Sequence, residues 1–131
     1  MNTLQQLHDR QAVTDLVSRL GLWLDGETTL DQARAILAED VAISTPGGTA
    51  QGLQDVVAQA RRNHEVPTQH VITNVLVDLD GGHASAGANL IVTFPDATLG
   101  ERYAFEAAKA GEDWRLTKIE VTPLWRRAST P

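Results

Sequence analysis

The hydrophobic period of this chain changes once, near Val66, and that change constrains the fold more than any other feature. Before it, apolar residues recur at three- and four-residue spacing; after it they alternate. The first pattern hides one stripe of a helix and the second hides one face of a sheet, so the two halves must cover each other. A chain of 131 residues has enough interior for one such layered domain and too little for two. A single domain spanning 1–131 is therefore expected.

The helical half divides into three segments. Residues 3–24 open on "TLQQ", in which Thr3 caps and Gln6 reaches back, and Val13, Leu16, Val17, Leu20, Trp23 and Leu24 then form one stripe. Gly26 is a natural stop. "TLDQARAILAEDV" repeats the capping signal at Thr29 and Gln32 and predicts a second helix that buries Ala33, Ile36 and Leu37. "STPGGTAQG" reads as a turn, and a third helix is expected over 53–65 with Val56, Val57 and Ala60 inward and Arg61 and Arg62 outside that stripe.

In the alternating half, "TQHVITNVLVDLDGG" is a strand running into a tight turn, and "HASAGANLIVTF" is its return. "ERYAFEAAKA", the turn "GED" and "WRLTKIEVTPLW" make a second hairpin, and Val41–Ser44 offers a short additional strand. The expected class is α+β: three helices, then four strands joined as antiparallel neighbours, with the helices on one side of the sheet. The run Ala84, Ser85, Ala86, Gly87, Ala88 is too small to fill the space between a curved sheet and its helices. It leaves room for a neighbouring backbone or a ligand.

Charge and composition exclude several classes of partner. A formal charge of −6 and a pI near 5.0 argue against nucleic acid and against an anionic membrane surface. Without cysteine there is no disulfide, thiolate catalysis or cysteine-ligated zinc. No apolar run approaches the roughly 18 residues of a membrane span, and "MNTLQQLHDRQAV" lacks the basic start and apolar stretch of a signal peptide. A cytoplasmic location is the expectation. No set of histidines and carboxylates has metal-ligand spacing, and "PGGTAQG" lacks the lysine and preceding strand of a phosphate cradle.

One polar pair stands out against this background. Simple alternation places His70 and Asn74 on one face of the long strand, together with Ile72 and Leu76. Burying such groups without partners costs roughly 1–3 kcal/mol each. Either that face meets solvent or it lines a cavity in which the histidine does chemistry.

The order of elements, "LDG" closing the first helix, "AEDVAI" closing the second, "QHVITNV" opening the long strand and the ending "WRLTKIEVTPLWRR" resemble the SnoaL-like branch of the nuclear transport factor 2-like superfamily. Within that branch the chain is most similar to scytalone dehydratase and the bile-acid dehydratases, over roughly residues 5–127. The resemblance implies a cone in which a strongly bent, mostly antiparallel sheet wraps around three N-terminal helices, with a pocket at the open end. It also implies a homodimer across the outer sheet face. Dehydratases of this kind use a strand histidine as base, oriented by an aspartate near the end of the first helix; the matching positions are His70 and Asp25. The resemblance implies a further polar residue on the neighbouring strand, matched by Asn89. Two departures are evident. The first-helix tyrosine of those dehydratases is absent, with Leu20 and Trp23 in its region and the single tyrosine, Tyr103, on a different strand. The aspartate–arginine–aspartate trio of the epoxide hydrolases has no counterpart either.

The residue types suit acid–base chemistry. An imidazole near pH 7 is a natural general base, and a carboxylate partner fixes its tautomer and stabilises the imidazolium. Removing a proton beside a carbonyl needs a base, a donor for the enolate oxygen and a dry pocket. The plainer alternative is a hydrogen-bonded core histidine and an Asp-Gly turn. Asp25 lies where the helix dipole disfavours an anion by up to about 1 kcal/mol, so it requires an offset such as a nearby imidazolium. A wheel drawn through the first helix places Asp25 off the Leu16–Leu20 stripe, provided helical geometry persists that far.

Asn89 and Asn74 are candidate contacts for a substrate oxygen, and Trp23, Leu20 and Tyr103 are candidate pocket walls. Trp114 and Trp125 are read as core and wall. Glu106 and Glu120 are expected to pair with Arg102, Lys118 or Arg115 on an exposed or dimer-facing surface, and His8, His64 and His83 to be solvated. The expected activity is cofactor-free dehydration, isomerisation or cyclisation of an apolar, oxygen-bearing, cyclic or polyketide-like carbonyl compound. The rival is a small-molecule-binding or assembly domain without turnover.

Overall fold

The computed structural model describes residues 3–129; the first two and last two residues of the expected domain lie outside the described span. Helix α1 (Thr3–Leu24) is followed by α2 (Leu30–Ala33), strands β1 (Leu37–Thr45) and β2 (Gly48–Gln51), helix α3 (Leu53–Asn63), and strands β3 (Gln69–Asp80), β4 (His83–Thr93), β5 (Ala97–Ala110) and β6 (Asp113–Ala128). The six strands form one sheet in the order β2-β1-β6-β5-β4-β3. All neighbours are antiparallel except β1 and β6, which run parallel. The sheet bends around the helices to make an α+β cone.

Two departures from the sequence reading concern its first half. The second helix is a single turn, capped as expected by Thr29, whose hydroxyl accepts from Gln32 N at 3.3 Å. The chain then leaves helical geometry, and Leu116 N donates to Ile36 O at 2.9 Å as β1 docks beside β6. Ala33, Ile36, Leu37 and Val41 are buried in either conformation, so their spacing could not separate helix from strand; sheet pairing decides it. The "PGG" turn joins β1, which contains the short additional strand expected at Val41–Ser44, to a four-residue β2 that was not expected, so the sheet has six strands.

Register shifts place extra residues in β1, β3 and β6, the irregularities at which a sheet of this kind bends. The one in β3 lies between Thr73 and Leu76, and Asn74 there adopts φ 58°. Asparagine tolerates this left-handed geometry better than most residues. His70 and Ile72 face the helices before the bulge, and Val75, Val77 and Leu79 face them after it. Leu76 is 74% exposed. The single face expected for His70, Ile72, Asn74 and Leu76 is thus broken in the middle.

Val13 and Val17 of α1, Val41 of β1, Val92 of β4, and Leu116 and Ile119 of β6 are the best-buried side chains. Ala84 and Ala88 belong to this packed core, so the small residues of β4 serve close packing and do not border the cavity described below. Pro123 lies beyond Glu120, the last residue of β6 paired with β1, so there β6 is an edge strand; Pro123 pairs with Glu101 of β5 beside a register shift.

Candidate active site

The end of α1 and the start of β3 meet at His70 and Asp25. Asp25 follows the last residue of α1, and its backbone N–H still donates to Gly21 O at 3.1 Å. Its carboxylate turns to β3. Oδ1 accepts from His70 Nδ1 at 2.6 Å and from the Thr68 hydroxyl at 3.0 Å, while Oδ2 accepts from His70 N at 2.9 Å. Three hydrogen bonds offset the unfavourable position of an anion at a helix C-terminus. The helical wheel objection disappears because Gly21 is buried as well, which widens the buried arc of α1 toward Asp25. A Cβ on Gly21 would lie 2.6 Å from Ile72 Cδ1 and 3.7 Å from His70 Cβ, so the glycine lets α1 settle closely against this part of β3. The loop after Asp25 is tied down by Trp23 Nε1 donating to Thr29 O at 3.0 Å and Arg61 Nε donating to Thr28 O at 3.1 Å.

A carboxylate on Nδ1 requires the proton of the neutral ring to reside there, which leaves a lone pair on Nε2. The His70 side chain is 1% exposed, and Nε2 has no hydrogen-bond partner among the described residues. His70 borders a cavity of about 590 Å³ at the open end of the cone. Leu20, Trp23 and Leu24 of α1 wall one side, α3 a second, and Val92, Leu99, Tyr103 and Ile119 the sheet side. The lining is mainly apolar, with a few inward polar groups; a volume of this size suits a small organic molecule.

The SnoaL-like domain family matches residues 5–120. The chain belongs to the SnoaL-like family. It falls in the corresponding branch of the nuclear transport factor 2-like superfamily, as its quoted segments implied. Among solved structures, the hexachlorocyclohexane dehydrochlorinase LinA type 2 superposes with a TM-score of 0.89 at 16% identity, over 98% of this chain and 94% of its own. A candidate scytalone dehydratase from Novosphingobium aromaticivorans gives 0.83 at 17% identity, over 99% and 93%. The Kfla4162 protein of Kribbella flavida gives 0.83 at 22% identity, over 93% and 95%. At such identities the likeness speaks for the fold. No curated protein matches the sequence.

Six polar residues of this SnoaL-like cavity were not among the sequence candidates: Thr45, Gln59, Asn63, His64, Glu101 and Arg126. Glu101 lies in the wall two residues from Tyr103, so both face inward. Burial raises the Glu101 carboxyl above its usual range, opposed by a hydrogen bond from Tyr103; burial likewise raises the Tyr103 phenol, helped by the charge of Glu101. His64, expected to be solvated, borders the cavity with its ring 5.1 Å from that of His70 and stacked on Phe94 at 6.3 Å. Its Nδ1 donates to Ala60 O at 2.8 Å, and burial holds its pKa below 6.5, which favours the neutral ring. Gln59 is 5% exposed and also lines the cavity. Alternation along β5 carried a signal for Glu101. Gln59 and His64 sit at the margin of the α3 stripe, where spacing alone does not distinguish wall from surface.

Of the sequence candidates, Leu20, Trp23, Tyr103 and His70 border the cavity, and Asp25 supports His70 from behind. Asn74 and Asn89 do not border it. The bulge turns Asn74 to the outer sheet face, where Asn89 Nδ2 donates to Asn74 Oδ1 at 3.5 Å and Arg102 Nε donates to Asn89 Oδ1 at 3.1 Å. Glu106 and Glu120 are exposed and lie 3.9 Å and 3.1 Å from Lys118 Nζ. Trp114 is core, and Trp125 lies at the mouth against Gly100. Among the described residues no three His, Asp or Glu side chains are grouped to hold a metal ion, and no helix is long and apolar enough to cross a membrane.

Proposed function

We propose that this SnoaL-like protein is a cofactor-free lyase, isomerase or cyclase acting on a cyclic or polyketide-like carbonyl compound, with His70 as base and Asp25 as its orienter. The observation that carries the reading is the buried Nε2 of His70, unpartnered beside the cavity while Nδ1 is held by Asp25. The names of two structural neighbours, a dehydrochlorinase and a candidate dehydratase, both denote eliminations and lend the reaction class support.

In this reading Nε2 takes a proton from the carbon beside the carbonyl, and the C–H electron pair moves toward the carbonyl oxygen as an enolate forms. Asp25 stabilises the imidazolium. With Asn74 and Asn89 on the outer face, the oxygen-side contact falls to Tyr103 and Glu101, and burial favours the neutral form of both. When Glu101 carries its proton, the tyrosine hydroxyl donates to its carbonyl oxygen and the Glu101 O–H is free for the substrate oxygen. Collapse of the enolate expels a β-hydroxyl, which leaves as water with the proton from Nε2. The expected homodimer is supported by Val71, Ile91 and Leu76, which are exposed apolar residues on the outer sheet face.

Proton exchange tests this without knowledge of the natural substrate. The protein should accelerate hydrogen–deuterium exchange beside the carbonyl of 2-tetralone in D2O, followed by NMR. His70→Ala should reduce that acceleration by about 100-fold or more, and Asp25→Asn by less. Exchange that survives His70→Ala undiminished contradicts the assignment; binding without exchange in the native protein favours the ligand-binding rival.

A further inference from the structure

Gln59 carries more than its place in α3 requires. Its Nε2 donates to Gly48 O at 3.1 Å and to Thr45 Oγ1 at 3.2 Å, tying α3 to the β1–β2 hairpin. The orientation of the amide is fixed by these partners. Gly48 O can only accept, and Thr45 Oγ1 gives its own proton to Gly48 O at 3.2 Å, so it too must accept. The carbonyl Oε1 is therefore directed away from both, and it has no partner. Only two buried side-chain atoms among the described residues lack one, Gln59 Oε1 and His70 Nε2, and both residues border the same cavity. His64, which also borders the cavity, has its Nδ1 proton committed to Ala60 O. Buried acceptors without donors are unfavourable and uncommon in folded proteins. Two unpartnered acceptors in residues that border one cavity call for a molecule that brings donors to them.

We propose that Gln59 Oε1 is the anchor for a hydroxyl of the ligand, distinct from the group that meets His70, so that the cavity selects ring compounds carrying at least two hydroxyls. This rests on the cavity being the ligand site of the proposed function, and not on His70 acting as a base. Gln59 is a specificity residue here: it holds one end of the molecule while His70 meets the other.

The test compares naphthalene-2,6-diol and naphthalene-2,7-diol with 2-naphthol, which lacks one hydroxyl, by fluorescence titration. One diol should bind the native protein about tenfold more tightly than 2-naphthol. In Gln59→Met that ratio should fall toward one. A loosened hairpin would weaken both compounds together and leave the ratio intact, so a ratio that persists in Gln59→Met overturns the inference. So does the absence of any gain for either diol. The carbonyl carbon of Gln59, labelled with carbon-13, should shift with the diol and not with 2-naphthol in the native protein; equal shifts overturn the inference without recourse to a variant. A ratio lost in His70→Ala and kept in Gln59→Met overturns the Gln59 assignment alone. Failure of all three compounds to bind overturns both it and the ligand site on which it depends.

Discussion

Glu101 shows what a cavity of this kind costs at the level of one residue. It faces an apolar hollow, and no Lys, Arg or His side chain forms an ion pair with it among the described residues. Burial raises its pKa above 4.5, so the folded protein holds the proton more tightly than the unfolded chain does. Below 4.5 both states are protonated and the carboxyl has no net effect. As pH rises from there the unfolded chain ionises first, so stability falls until pH passes the folded value. Glu101→Gln, which cannot ionise, should match the native protein in urea unfolding at about pH 4 and exceed it at about pH 8. Equal midpoints at both pH values would place Glu101 in water rather than in the wall. His64 has the opposite sense: its depressed pKa makes acidification below 6.5 unfavourable to the fold.

Among the elements, β3 matters most because its bulge decides which side chains meet the hollow. Left-handed geometry at Asn74 costs a branched residue about 1–2 kcal/mol. Asn74→Val should therefore lower the urea midpoint by that amount, whereas Asn74→Gly should be nearly neutral; a Val variant as stable as the native protein would show that the bulge is not fixed by this residue. Strict alternation made β3 legible as a strand, and the same rule misplaced Asn74 and Leu76, since one inserted residue reverses every face beyond it. The stripe of α1 and the two long hairpins were legible because their periods run for many residues. The passage from α2 into β1 was not, because Ala33, Ile36, Leu37 and Val41 satisfy a buried helix and a buried strand equally well. His70 stood out as a polar residue on an apolar strand, and its pairing with Asp25 was reached through the family resemblance. Glu101 was signalled by alternation along β5 and overlooked, whereas Gln59 and His64 escaped because they sit at the margin of the α3 stripe.

Across the whole molecule, the two ends of the cone use buried polarity differently. About 16 Å along α1 from Leu20, Asp9 is held by three donors on one oxygen: its Oδ1 accepts from Trp114 Nε1 at 3.0 Å, Gln5 Nε2 at 2.9 Å and Lys109 Nζ at 3.3 Å. The hydrogen bond from Trp114 is the main reason its carboxyl is held below the ordinary value. That end ties α1 to β5 and β6 with no buried polar atom to spare. The open end instead leaves His70 Nε2 and Gln59 Oε1 unmatched beside a cavity of about 590 Å³. This contrast between the two ends is what the proposed ligand site rests on. The most direct measurement is nitrogen-15 NMR of the His70 ring. With the ring neutral, the account predicts a proton on Nδ1, a bare Nε2, and a change at Nε2 when a hydroxylated ring compound enters. A proton on Nε2, or a ring indifferent to every such compound, would contradict it.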